Sequence, residues 1–303
     1  MANSCLVIHR GHAAERPGST VRQVRRERIF NLPGVVLAMI LGMGLVHAVR
    51  MYLLGDQQDG ELLALLAFVP ARITAQFDPA GVAAAFRMLA LQGGSEIEFA
   101  RYFFGDGTSQ PWTVLTYSVL HADWMHFGIN SIWLAAFGAP VARRFGTVRF
   151  VFLVVLTALA GALAHYVFHR FDATPVIGAS AAVSGVMAAS IRFVFQPGAP
   201  LGQSLRLGPD ENAAYRQPAL PLSRVVRDRR ALTFIIFWFA MNLIFGIGAQ
   251  PLGLTDSGVA WEAHLGGFLA GLLCFSWIDP PFRRGGDFAG AEDFDGQSFE
   301  RRS

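Results

Sequence analysis

Six nearly unbroken apolar stretches dominate the chain, at residues 33–54, 124–141, 150–168, 178–195, 231–247 and 260–278. Each has the length at which an α-helix crosses a hydrocarbon core of about 30 Å. The pattern therefore predicts an all-α, polytopic membrane protein, a bundle of six transmembrane helices. A seventh apolar run, 62–71, is too short to span. With the amphipathic stretch 82–91 it predicts interfacial helix inside a long loop, residues 55–110. The first apolar stretch follows a polar segment, residues 1–32, and lacks a clear small-residue cleavage site. It reads as a span and not as a secretory signal.

Composition strengthens this picture. Hydrophobic residues make up 53% of the 303 and charged residues 16%, where soluble domains carry about 25% charged. That excludes a disordered chain and argues against an ordinary soluble domain. All 25 basic residues are Arg, which together with the abundance of Ala and Gly points to a GC-rich bacterial genome and so to the inner (cell) membrane. Two cysteines, Cys5 and Cys274, make no disulfide framework.

The arginines also predict orientation. Six lie in the N-terminal tail, three follow the second span (Arg143, Arg144, Arg149), six lie in 196–230, and four in the C-terminal tail. With six spans all four segments fall on one side, the cytoplasmic one. The opposite side is poorer, since the 55–110 loop has three Arg against seven acids. Both termini are thus expected inside. Residues 1–32 and 279–303 read as cytoplasmic tails, the latter disordered, and 196–230 as a Pro/Gly-rich cytoplasmic linker with a basic, membrane-facing end. Topology accounts for the basic residues, so nucleic-acid binding has little support.

Polar groups inside such spans are informative, because they are costly there and usually functional. Three constellations stand out. In the stretch from His121 to Asn130, at the start of the second span, His126 and Asn130 are four apart and share a helix face. In the second, Gly178-Ala179-Ser180 opens the fourth span, where backbone amides are free. In the third, His264 lies near the start of the sixth span, ahead of a small-residue stripe of Ala263, Gly267 and Gly271. A matching stripe, Ala181, Gly185 and Ala189, runs along the fourth. Packed together, the stripes would bring Ser180 and His264 to neighbouring backbones. Spans two, four and six all begin on the outside, and at 1.5 Å per residue these side chains share a depth of roughly 3 to 9 Å. Taken singly, each group has a plain reading as a helix-packing or capping residue; the shared depth is what sets them apart.

The chain here resembles the rhomboid intramembrane serine proteases. The match is His121-x4-His126-x3-Asn130, then Gly178-Ala179-Ser180, then Ala263-His264-Leu265-Gly266-Gly267, and it extends over about residues 33–278. The resemblance implies a six-helix rhomboid-like bundle that cleaves transmembrane protein substrates near the outer membrane face. It implies Ser180 as nucleophile and His264 as base. It assigns the oxyanion hole to His126, Asn130 and the Ser180 backbone N–H. No cofactor and no metal are implied. The chain departs from the family at Ala181, where Gly is frequent, and at Ser184, where many members carry an aromatic residue that stacks on the catalytic histidine.

Rival chemistries lack their residues. No His-Glu-x-x-His string exists; His165 and His169 are four apart but without the intervening Glu, and read as interfacial. Asp123, Asp256 and Asp279 all sit at span ends, which disfavours an aspartyl pair. No acid lies where it could orient His264: Glu262 is two positions round the helix and faces elsewhere. A Ser–His dyad is the economical reading. The alternatives are a rhomboid-like pseudoprotease that binds membrane clients without cleaving them, and a small transporter. The transporter is disfavoured by a polar cluster at one face only.

Overall fold

The computed structural model describes residues 32–200, 213–248 and 259–280. The N-terminal tail (to residue 31), residues 201–212 of the 196–230 linker, residues 249–258 and the C-terminal tail (from 281) lie outside the described residues. Among the described residues thirteen α-helices follow one another: α1 (Gly34–Tyr52), α2 (Asp56–Leu66), α3 (Pro70–Thr74), α4 (Pro79–Gln92), α5 (Glu96–Phe104), α6 (Thr113–Thr116), α7 (Trp124–Trp133), α8 (Ala139–Phe145), α9 (Thr147–His169), α10 (Ser180–Ile191), α11 (Leu222–Val225), α12 (Arg229–Leu243) and α13 (Trp261–Ile278). The described residues hold no sheet; Phe68 and Val176 form an isolated antiparallel bridge.

All six apolar stretches are helical, but they are not equivalent. Among the described residues three helices are long and apolar enough to cross a bilayer unaided: Gly34–Tyr52, Thr147–His169 and Arg229–Gly246. Their outward faces are apolar, with Leu41, Leu45, Leu163, Val167, Ile236 and Phe237 exposed. Such broad apolar faces suit hydrocarbon and not water. The stretch 124–141 is interrupted instead. A wide π turn over Leu134–Gly138 joins α7 to α8, just ahead of Pro140, which withholds an amide from the helical ladder. The stretch 178–195 is helical only over Ser180–Ile191, and eleven of those twelve residues are buried. Twelve residues rise only about 18 Å. A helix walled by protein on every side need not match the bilayer, and it is apolar all round because it meets no water.

Glycines set how closely the central helices pack. A Cβ on Gly267 would lie 2.0 Å from the Ala181 carbonyl oxygen, and one on Gly271 2.0 Å from that of Gly185. A Cβ on Gly185 would in turn fall 2.4 Å from Thr157 Cβ of α9. The two small-residue stripes thus press backbone to backbone, and α9 closes the third side.

The 55–110 region carries more structure than one interfacial helix. It folds as α2 to α5 around Val69, Ala71, Val82, Ala100 and Phe103. Arg72 pins it, donating to the Ala64 carbonyl (2.6 Å), Gln110 Oε1 (2.5 Å) and the Phe104 carbonyl (3.3 Å). At the far end of the bundle, Arg144 forms a bidentate pair with Asp279 (2.6 and 2.7 Å) and also bonds the Tyr215 and Gln217 carbonyls. Arg192 holds the Leu220 carbonyl at 2.6 Å. The described part of the 196–230 linker is therefore tied down. Arginine side chains hold it, which the Pro/Gly composition does not reveal.

Candidate active site

Gly178 shapes the entry to α10. Its φ of +123° is a conformation that residues with a Cβ rarely adopt. A Cβ there would also strike the His126 ring, at 2.7 Å from Cε1 and 2.8 Å from Nε2, and would lie 3.6 Å from Ser180 Oγ. Only glycine lets the His126 imidazole and the Ser180 hydroxyl flank the same point of the chain. Ser180 is the first residue of α10, with Ala179 at the cap position. The helical ladder opens with the Val183 N–H bonding the Ala179 carbonyl. The amides of Ser180, Ala181 and Ala182 therefore precede that ladder, as at any helix N-terminus.

The α10–α13 contact delivers His264. Its Nε2 lies 2.6 Å from Ser180 Oγ. Its Nδ1 lies 2.6 Å from Oδ1 of Asn242, a buried amide on α12. The Asn242 Nδ2 donates to the Trp261 carbonyl at 3.2 Å. These contacts fix the proton positions. A carbonyl only accepts, so the amide nitrogen must face Trp261 and the amide oxygen must face His264. That oxygen also only accepts, so Nδ1 carries the ring proton. Nε2 is then bare and accepts from the Ser180 hydroxyl, the tautomer a general base requires. Ser180 and His264 are each partly accessible.

Asn242 is the residue beside His264 that motif reading misses. A signal existed: it is a lone amide within the apolar stretch 231–247, the same kind of cue that singles out Asn130. Glu262 faces away from His264, and its carboxylate meets His169 on α9 at 3.0 Å.

The residues from His121 to Asn130 sit at the same end. Asp123 caps α7, accepting from the His126 amide at 2.7 Å. Asn130 is buried and donates from Nδ2 to the His126 carbonyl at 3.0 Å. That uses one of its two amide hydrogens. No hydrogen bond joins Asn130 to Ser180 in the described structure. His121 precedes α7 and packs edge-on against His126, ring centroids 5.0 Å apart. Burial, and then the nearby His126, His47 and Arg50, push His121 down to about 3, so it stays neutral. Arg50 anchors the whole stretch, donating to the His121 carbonyl at 2.6 Å while paired with Asp59.

The two family departures lie in this packing. The Ala181 carbonyl meets Gly267, and its Cβ occupies the space a side chain on Gly161 would need. Ser184 is buried. The bond His264 makes sideways is to Asn242.

Residues 108–280, more than half of the chain, match the Rhomboid domain. The chain is 30% identical over 202 residues to rhomboid protease GluP of Bacillus subtilis, covering 65% of this chain and 33% of that protein. It is 24% identical over 180 residues to uncharacterized proteins of Mycobacterium bovis and Mycobacterium tuberculosis, covering 57% of this chain and 61% of theirs. It thus spans from a third to about three-fifths of the relatives it matches. The matched region contains the whole Ser180, His264, His126 and Asn130 constellation within a set of apolar helices, and by that match this integral membrane protein belongs to the rhomboid family.

Proposed function

We propose that the chain is an intramembrane serine endopeptidase that cleaves transmembrane protein substrates near the outer membrane face. The observation that carries the reading is the 2.6 Å contact of Ser180 Oγ with a bare His264 Nε2, itself oriented by Asn242. As Ser180 attacks a scissile carbonyl, His264 takes the hydroxyl proton and Oγ bonds to carbon. The negative charge that develops on the carbonyl oxygen is met by the Ser180 amide and by the side chains of His126 and Asn130. His264 then gives its proton to the leaving amine, and an acyl-serine remains. Water, deprotonated by His264, hydrolyses that ester and restores the enzyme. Each proton has a donor and an acceptor among these residues, so the chemistry calls for no cofactor and no metal.

In this reading six helical segments cross the membrane, the short α10 being carried inside the bundle, with both termini in the cytoplasm of a bacterial cell. The domain boundaries follow: tails at 1–32 and 279–303 around a protease domain at 33–278. The partners are the bilayer and transmembrane protein substrates.

The test is cleavage of a single-span substrate by the full chain in proteoliposomes, with a fluorophosphonate probe identifying the reactive serine. Cleavage, with label on Ser180, is expected. A wild-type chain that binds the substrate, cleaves nothing and takes no label would leave the pseudoprotease reading.

Asn130→Ala separates oxyanion binding from helix packing. Loss of one oxyanion donor lowers kcat by about 10²–10³, so kcat and kcat/KM should fall together with KM little changed. A variant with reduced thermal stability but undiminished kcat would make Asn130 a packing residue.

Asn242→Ala tests the positioning of His264. Losing one neutral hydrogen bond, about 1 kcal/mol, should slow kcat roughly fivefold through a freed imidazole while KM stays near the wild-type value. A shift in KM alone would detach Asn242 from the chemistry.

A further inference from the structure

His165 and His169 occupy successive turns at the end of α9, and their rings stack with centroids 4.5 Å apart and planes 19° from parallel. Residues four apart project from one helix face, so both imidazoles point the same way. What they point toward is Glu262, in the first turn of α13. Its Oε1 lies 3.0 Å from His169 Nε2 and its Oε2 3.8 Å from His165 Nδ1. One donor atom from each of the three residues falls within 4.8 Å of the others. The His165 side chain is 9% accessible, and its Nδ1 is buried without any hydrogen-bond partner. A hydrogen-bonded histidine–carboxylate pair accounts for His169 and Glu262. It leaves that His165 nitrogen unexplained, since buried polar atoms are almost always paired.

We infer that His165, His169 and Glu262 form a binding site for one divalent transition-metal ion of zinc's class, which clamps the end of α9 to the start of α13. Two imidazoles and one carboxylate are a donor set that suits zinc and its neighbours in preference to calcium or magnesium, which favour oxygen. Metal–ligand bonds of about 2.0–2.2 Å place ligand atoms roughly as far apart as the 3.0 and 3.8 Å separations found here. Small side-chain rotations suffice to close the set. Three protein ligands leave a fourth position for water. His169, 36% accessible at its side chain, lines the entry. The site uses none of the residues of the proposed proteolysis, although Glu262 lies two residues before His264. The missing carboxylate of the His165–His169 pair thus comes from another helix, where no local motif would register it.

The experiment uses the full chain in detergent, stripped with a chelator and titrated with Zn2+ calorimetrically and with Co2+ by absorption. One saturable equivalent is expected, with Co2+ d–d bands of low coordination number. Zn2+ should also raise Tm, as any ligand that binds only the folded state does. Glu262→Gln, which keeps the shape, and His165→Ala should each weaken binding by more than the ~10–100-fold that loss of an outer hydrogen-bond partner costs. Ser180→Ala should bind as the wild type does, so failure of the protease reading leaves this result intact. If His165→Ala does not fold, Glu262→Gln and the Co2+ spectrum of the wild type decide. The proposal is overturned by absence of a saturable equivalent in the wild type. Undiminished binding in Glu262→Gln overturns it too, because the ion then lies elsewhere.

Discussion

Ser180→Ala and His264→Ala are each expected to lower turnover of a single-span substrate by ~10⁴-fold or more, and the double variant to be scarcely slower than either. The two groups act as a unit. Without the hydroxyl, Nε2 has no proton to take; without the imidazole, the hydroxyl stays protonated and a poor nucleophile. Neither change should disturb the bundle. Ser180 is at the mouth of α10, where Ala suits a first helical turn, and truncating His264 removes contacts with just two side chains, Ser180 and Asn242, among its described hydrogen bonds. Thermal unfolding measured on the same preparations should match the wild type for Ser180→Ala and fall modestly for His264→Ala, which leaves the buried Asn242 Oδ1 without its partner. Fluorophosphonate labelling should vanish in Ser180→Ala and persist, slowly, in His264→Ala. Undiminished turnover by Ser180→Ala would sink the assignment and turn attention to Ser184, one turn further along α10.

Gly271→Ala should do large damage from two helical turns away. The added Cβ would lie 2.0 Å from the Gly185 carbonyl oxygen and 2.5 Å from its carbon. These are backbone atoms of a buried helix, and no side chain can rotate to make room. α13 must move off α10. Overpacking of this kind costs about 1–3 kcal/mol, occasionally more. His264 rides on the same helix, seven residues or ~10.5 Å along its axis. A misplacement of ~1 Å at a reacting group costs about 10²-fold in rate. We expect a lower Tm together with a kcat reduced by that order. Gly42→Ala is the control: nothing lies within 4 Å of a Cβ there, and replacing a helical glycine by alanine is neutral or mildly stabilising. Equal behaviour of the two variants would show that the close approach of α10 and α13 carries no strain.

Which segments become helix, and which side chains merit suspicion, is legible in the linear chain. Long apolar stretches, glycine and alanine every fourth residue, and single polar residues inside those stretches are local properties, and each reports a local tendency: to leave water, to allow close approach, to demand a partner. The partner itself is not a local property. Asn242 and His264 stand 22 residues apart on different helices, and the amide reaches the imidazole only because α12 and α13 lie side by side. Glu262 meets His169 across 93 residues for the same kind of reason. The brevity of α10 likewise makes sense only in three dimensions, where protein replaces lipid around it. Helix α2 to α5 gain their core from residues scattered between Val69 and Ala173, and no window of the sequence contains that set. Hydropathy and periodicity act over a few turns of helix. Contacts between helices are settled by backbone separation at glycines such as Gly267 and Gly271, so the chemistry-bearing pairings belong to the tertiary structure.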